Sequence, residues 1–249
     1  MGQERWERLS DTCRVLVTRE HGFTTDTLLL AWFSLPRPGE RCADLGTGCG
    51  TIPLVWRQRA RAESILGVEL QEQAAGQARR SVEENGFAGE ITILRGDARE
   101  YKSLLPCQGL DLMACNPPYT SPGAGLLSAD PQRRAARHGE SLTLEEVAQA
   151  ARYGLRYGGR LCLCLPAQRL GEAMGLLARY RLEPKRLRLV QQRLGKAPYL
   201  FLLECRSGGR PGGLQVEPVL LLEDERGRPT PALLEAYGEY RRDGGQEGD

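Results

Sequence analysis

Asn116-Pro117-Pro118-Tyr119 is the stretch in which residue type and order restrict chemistry most tightly. Its prolines fix φ and remove two backbone donors, so the chain presents a stiff turn with free carbonyls instead of continuing a strand. The Asn116 side-chain oxygen and the Pro117 carbonyl can both accept from one planar NH2 group, holding its nitrogen in line with an electrophile. An amine conjugated to a ring is a poor nucleophile because its lone pair is delocalised. Two acceptors favour a pyramidal nitrogen, and alignment removes part of the entropic barrier, so no strong general base is needed. Tyr119 offers a face on which a flat ring can stack, worth roughly 1–3 kcal/mol for a nucleobase. A base in folded nucleic acid would have to swing out to reach it.

The second chemical segment is ADLGTGCGTIPL, Ala43 to Leu54: an acid at a strand end, then Gly46, Gly48 and Gly50, then a helix. Glycines allow a tight turn and close approach of backbone to a ligand at the carboxyl edge of an open α/β sheet. The dinucleotide fingerprint GxGxxG is not met, because Thr51 occupies its third glycine position. Asp44 directly before the loop would repel a pyrophosphate and suits an ammonium group. About twenty residues past the loop, ILGVEL carries Glu69, placed to accept from both hydroxyls of a ribose. One strand later, ILRGDA ends in Asp97, placed to meet an adenine edge.

Successive strands ending in Asp44, Glu69 and Asp97 around DLGTGCG resemble the class I S-adenosylmethionine-dependent methyltransferases. The resemblance implies S-adenosylmethionine as cofactor, held by Asp44, Gly46, Gly48, Glu69, Leu70, Asp97, Ala98 and Asn116. It also implies that Thr25 and Asp26 help close the methionine end, and that Asn116, Pro117 and Tyr119 handle the target nitrogen. The tetrapeptide is common to families that methylate adenine N6 and to those that methylate the glutamine of a GGQ motif, so it does not choose between them.

Further segments extend the likeness: FTTDTLLLAWF upstream, and ARHGESLTLEEVAQAARYGLRYGGRLCLCLPAQRL, LEPKRLRLVQQRLGKAPYLFLLE and LQVEPVLLL downstream. In this order they are similar to the bacterial tRNA adenine-N6 methyltransferases that modify the adenosine next to the valine anticodon, over roughly residues 18–223. Such a member would take RNA, specifically tRNA, as partner, through Arg133, Arg134, Arg137 and His138 after the tetrapeptide and through Lys185, Arg186 and Arg188. One departure is Gly139, standing between His138 and Glu140 where relatives read ARHE. Glutamine methylation of a release-factor type and a non-catalytic cofactor- and RNA-binding protein are the competing readings. Glutamine methyltransferases carry an N-terminal helical domain for which about forty residues leave little room.

These residues need an α/β scaffold. Short apolar runs alternating with helical patterns predict strands at Arg41–Leu45, Ile65–Glu69, Ile91–Arg95, Leu110–Cys115 and Gly159–Leu165. Helices are expected at Ile52–Arg61, Gln71–Asn85, Thr143–Tyr157 and Gln168–Tyr180. Leu187–Gln192 and Pro198–Cys205, with Gly195 turning between them, have no helix to connect them and must pair antiparallel. The expected fold is a Rossmann-like class I methyltransferase: a mostly parallel seven-stranded sheet with an antiparallel C-terminal hairpin. Residues 1–40 form a cap with a helix over Leu28–Phe33 capped by Thr25 or Asp26, and 41–206 form the cofactor domain. Residues 207–237 are a flexible SGGRPGG linker plus a strand or arm over Leu214–Leu222 packed on the domain, and 238–249 are a disordered tail.

Composition restricts the partners. At 249 residues and 41% hydrophobic, the chain can bury one α/β core. Lys and Arg total 34 against 32 acids, which excludes a strongly basic polyelectrolyte binder and leaves nucleic-acid contact to local patches. Its lysines are Lys102, Lys185 and Lys196, the other cations being arginine. No stretch approaches a membrane span, and the charged N-terminus is no signal peptide, so a cytoplasmic monomer or weak dimer is expected. The eight cysteines lack CxxC or Cys/His spacing, which predicts buried reduced thiols and no metal; Cys162 and Cys164 should share one strand face.

Overall fold

A computed structural model describes residues 3–117 and 142–240. Its central sheet is built by β3 (Arg41–Leu45), β4 (Ser64–Glu69), β5 (Ile91–Arg95), β6 (Leu110–Cys115), β7 (Leu155–Pro166), β8 (Leu182–Gln191) and β9 (Leu200–Ser207). The strand order is β8-β9-β7-β6-β3-β4-β5. The run from β7 to β5 is parallel, and β9 lies antiparallel to both β7 and β8. Strands with helices on both faces read as unbroken apolar runs, which is why these were recognisable from sequence. Two short strands, β10 (Gln215–Val216) and β11 (Leu220–Leu221), pair parallel to β8 and extend the expected seven strands to nine.

One face of the sheet is covered by α1 (Thr25–Phe33), α2 (Thr51–Arg59) and α3 (Glu72–Glu84). The other is covered by α5 (Leu144–Gly154) and α6 (Leu170–Arg179), with the short α4 (Tyr101–Leu104) beside them. Successive side chains of β7 alternate between the two cores. Cys162 and Cys164 enter the first and Leu161, Leu163 and Leu165 the second, all fully buried. The CxC thus places both thiols on one face, as strand geometry requires. Trp56 of α2 is fully buried, and its indole donates to the Ala31 carbonyl and the Ser34 hydroxyl (both 3.2 Å), fastening α1 to α2. Among the described residues no helix is long and apolar enough to cross a membrane.

Three expectations change. Before α1 the cap contains an antiparallel hairpin, β1 (Arg5–Ser10) and β2 (Cys13–Val17), which packs on α3. The segment read as a flexible linker is tied down: Gly208 N donates to the Arg181 carbonyl (2.8 Å), Gly212 N to Glu183 (2.9 Å), and Lys185 to the Arg210 and Gly212 carbonyls. Past the arm, α7 (Pro231–Tyr237) is capped by Thr230, whose hydroxyl accepts from Leu233 N (3.2 Å). Tyr240, placed by the sequence reading in a disordered tail, is buried and packs edge-on against Phe23 and Tyr237.

Candidate active site

Where β3 ends, the chain turns over β4. Gly46 N and Thr47 N both donate to the Val68 carbonyl (2.9 and 3.0 Å), and Gly46 and Gly48 adopt φ of +72° and +58°. A side chain at either would be strained in this left-handed region. Gly50 also has positive φ, and a Cβ there would stand 3.1 Å from the Ala78 Cβ of α3. The loop is therefore drawn down between strand and helix, leaving a cavity above. Its walls include Gly46, Gly48, Glu69, Leu70, Asp97, Ala98 and Pro117, all singled out from sequence. His21, Gln71, Cys115 and Leu142 join them and were missed. No spacing pattern marks His21. Cys115, by contrast, directly precedes Asn116 and was readable only as a strand residue.

The acids at the three strand ends differ in their surroundings. Glu69 accepts from Gly48 N through one oxygen and from Gln71 N through the other (both 2.8 Å), clamping the glycine loop to the exit of β4. Each oxygen keeps a second lone pair for a ligand hydroxyl. Asp97 is forked by the Arg99 guanidinium (2.8 and 2.9 Å from Nε) and accepts from Arg99 N, which holds its carboxyl below the usual carboxylate range. Asp44 is 1% exposed, and neither of its oxygens has a hydrogen-bond donor among the described residues. Burial pushes its pKa up to about 7; the neighbouring Thr47 hydroxyl opposes the rise and the Glu69 charge adds to it. A buried carboxyl without a donor is costly. This one lies at the end of β3, directly before the glycine loop and between β4 and β6.

Asn116 follows β6, which pairs in register with β3, Asp44 opposite Ala114 and Leu45 opposite Cys115. The end of the tetrapeptide strand and the acid of the glycine loop are thus neighbours on one sheet edge. The Asn116 side-chain nitrogen donates to the Thr27 hydroxyl of α1 (3.4 Å). Thr27 is in turn the acceptor for Thr24 N (3.3 Å), and Thr24, not Thr25 or Asp26, is the N-cap of α1.

Thr25 and Asp26, expected near the cofactor, are absent from the cavity wall, as are Asp44 and Asn116, which lie next to the wall residues Leu45, Cys115 and Pro117. The Thr25 hydroxyl lies 2.8 Å from the Tyr237 hydroxyl, and Asp26 accepts from Tyr199 OH (3.5 Å). They brace α1 against α7 and the β8–β9 turn. Tyr119, Arg133, Arg134, Arg137 and His138 lie outside the described residues. The second cation group does not form an open patch. Arg186 donates to the Phe33 carbonyl (2.6 Å), pairs with Glu204 (3.0 Å) and Glu217 (3.2 Å), and stacks over the Phe33 ring. Arg188 pairs with Glu217 (3.4 Å) over Trp32, and Lys185 holds backbone carbonyls. These cations serve the fold because their acidic and aromatic partners arrive from distant parts of the chain.

An open parallel sheet with an antiparallel edge hairpin, a glycine turn after its first parallel strand and acids at consecutive strand ends define an S-adenosylmethionine-dependent methyltransferase of class I. The Methyltransferase small domain model matches residues 23–174. A tRNA1(Val) (adenine(37)-N6)-methyltransferase of Porphyromonas gingivalis is 36% identical over 188 residues, covering 74% of this chain and 73% of that one. The Tolumonas auensis enzyme of the same name is 30% identical over 226 residues, 87% and 88% of the two chains. Among solved structures, an Agrobacterium tumefaciens protein titled a predicted O-methyltransferase superposes with a TM-score of 0.68 at 24% identity, covering 88% of this chain and 99% of the other. TrmN from Thermus thermophilus superposes with a TM-score of 0.52 at 25% identity over 73% of this chain and 48% of its own. The chain belongs to the tRNA1(Val) (adenine(37)-N6)-methyltransferase family.

Proposed function

We propose that this enzyme methylates N6 of an adenine in tRNA, next to the anticodon, in keeping with adenine 37 in the names of its relatives. The observation that carries the reading is the pairing of β3 with β6. It sets a buried carboxyl that lacks a donor beside the carbonyl-rich turn of Asn116 and Pro117. The residues present fit S-adenosylmethionine, whose sulfonium supplies an electrophilic methyl group when bound. Asp44 would face its ammonium, Glu69 its ribose, and the walls at Leu70, Asp97 and Ala98 its adenine. Asn116 Oδ1 and the Pro117 carbonyl accept from the exocyclic NH2 of the target and orient its lone pair, so the gain comes from alignment and fixed dipoles. Tyr119 stacks on the extruded base, and the arginines near Arg137, with His138, meet phosphates. An enzyme of this substrate class works in the cytoplasm.

Incubating the protein with tritiated S-adenosylmethionine and tRNA from a strain deleted for the gene tests the reading. The expected product is N6-methyladenosine in RNase-sensitive material. Label in a release-factor glutamine that survives RNase would overturn it.

A further inference from the structure

The turn between β8 and β9 was read from sequence as a hairpin connection inside a family-like segment, and its position gives it a role. Along the sheet, Cys115 of β6 pairs with Leu163 of β7, and Pro166, at the end of β7, pairs with Leu200 of β9. Leu200 in turn pairs with Val190 of β8. Residues 191–199 therefore project beyond the same sheet edge as Asn116 and Pro117. At about 4.8 Å per strand, β9 stands roughly 10 Å from β6, within the width of a nucleic-acid stem-loop. Tyr199 binds the turn to Asp26 of α1, one residue from the Thr27 that holds Asn116.

The tip is built differently from the cations of β8. Gly195 takes φ +79°, and Lys196 N donates to the Arg193 carbonyl (3.1 Å), closing a tight turn with a cation at each end and Leu194 between them. Leu194 is 72% exposed. Arg193 and Lys196 are exposed, and neither side chain has an ion pair or hydrogen bond among the described residues. Arg186 and Arg188 on the adjoining strand both have acidic and aromatic partners. At the base of the turn, Glu223 is taken up by Gln192 (2.5 Å).

From this we infer that the β8–β9 tip is an RNA-docking surface at the rim of the active site. Arg193 and Lys196 take phosphates flanking the target, and Leu194 enters the gap in the base stack left when the target swings out. The inference rests on the adenine reading of the site. Charge complementarity selects a polyanion, and insertion of an apolar side chain between base steps is one means by which proteins wedge apart stacked bases.

The test uses the full-length protein with an unmodified anticodon stem-loop and an unstructured oligoribonucleotide of equal length containing the same target adenine. Arg193→Ala/Lys196→Ala is expected to weaken stem-loop binding roughly tenfold and to flatten the plot of log affinity against log salt by about 1.5, with S-adenosylhomocysteine affinity unchanged. Leu194→Ala is expected to slow turnover on the stem-loop about tenfold and to leave the unstructured RNA unaffected, since no stack has to be opened there. An unchanged salt slope in the double variant, or a Leu194→Ala effect equal on both RNAs, overturns the surface while wild-type methylation upholds the adenine reading. Failure of the wild-type protein to methylate either RNA overturns both.

Discussion

Glu40 and Asp44 stand at opposite ends of β3, both buried, and they illustrate two uses of an interior carboxylate. Glu40 faces the buried Arg160 guanidinium (2.5 Å) and accepts from Arg37 N (2.8 Å). Arg160 also approaches Glu204 (3.6 Å), which in turn pairs with Arg186. This closed network joins the entry of β3, the strands β7 to β9 and the end of α1. At the other end of the same strand Asp44 has no hydrogen-bond donor within bonding distance among the described residues, and burial is the largest influence on its protonation. A carboxylate whose charge is matched within the chain is part of the scaffold. The proposed role of the unmatched one, beneath a glycine turn, is to meet a cationic ligand group.

The largest expected effect comes from breaking the matched end. Arg160→Met removes the cation from between Glu40 and Glu204, and truncating one partner of a buried pair costs about 3–5 kcal/mol. Urea unfolding followed by circular dichroism should show that loss, while the cofactor affinity of the folded fraction stays at the wild-type value. Next comes the target side of the unmatched end. Asn116→Ala is expected to lower kcat on the order of 100-fold or more, the effect of removing one preorganised polar group, with S-adenosylhomocysteine affinity retained by calorimetry. Equal damage to both quantities would show that Asn116 shapes the cofactor cavity and not the target position.

A tenfold effect is expected from pH. Asp44 is raised to about 7 in the folded protein, above about 3.9 for a free aspartate. The folded, ligand-free state therefore holds an extra proton between those values, and the associated stability, complete below pH 4, is lost as pH rises through 7. A cationic ligand group needs the ionised form, so S-adenosylhomocysteine affinity should rise about fivefold from pH 6 to pH 7 and about tenfold from pH 6 to pH 8, levelling off above. Asp44→Asn should bind weakly with no such slope. A wild-type affinity independent of pH across this window would remove Asp44 from contact with the ammonium.

The contrast along β3 also marks how far the sequence could be read. The bounds of β3 and β6 matched the apolar runs, because central parallel strands are buried on both faces and their surroundings are uniform; the edge strand β5 matched through its alternating apolar residues. Asp44, Glu69 and Asp97 were legible because a strand end plus an acid is a local pattern. The β1–β2 hairpin was not, since Arg5, Glu7 and Arg8 leave β1 without a clean apolar alternation and it looks like any charged segment. Nor was α7, although Thr230 and Pro231 are a proper helix start, because it is too short for periodicity to register. Arg186 and Arg188 misled for a different reason: their partners Glu204 and Glu217 are distant in sequence, and a run of charges carries no information about who neutralises it.

Thr27 is the sharpest case of that blindness and gives the smallest predicted effect. Its hydroxyl reaches Asn116 across 89 residues of chain, and nothing in FTTDTLLLAWF distinguishes it from the threonines beside it. If it directs the Asn116 amide so that the oxygen faces the target, Thr27→Val removes one part-buried hydrogen bond and should cost about 1 kcal/mol, roughly fivefold in kcat. KM for RNA and the affinity for S-adenosylhomocysteine should hold, because the change acts on orientation and not on either binding surface. Thr27→Ser, which keeps the hydroxyl, should restore kcat. A merely structural threonine would give the opposite order: Val, nearly isosteric, would be tolerated, and Ser, having lost a methyl from the packing of α1, would be the worse variant.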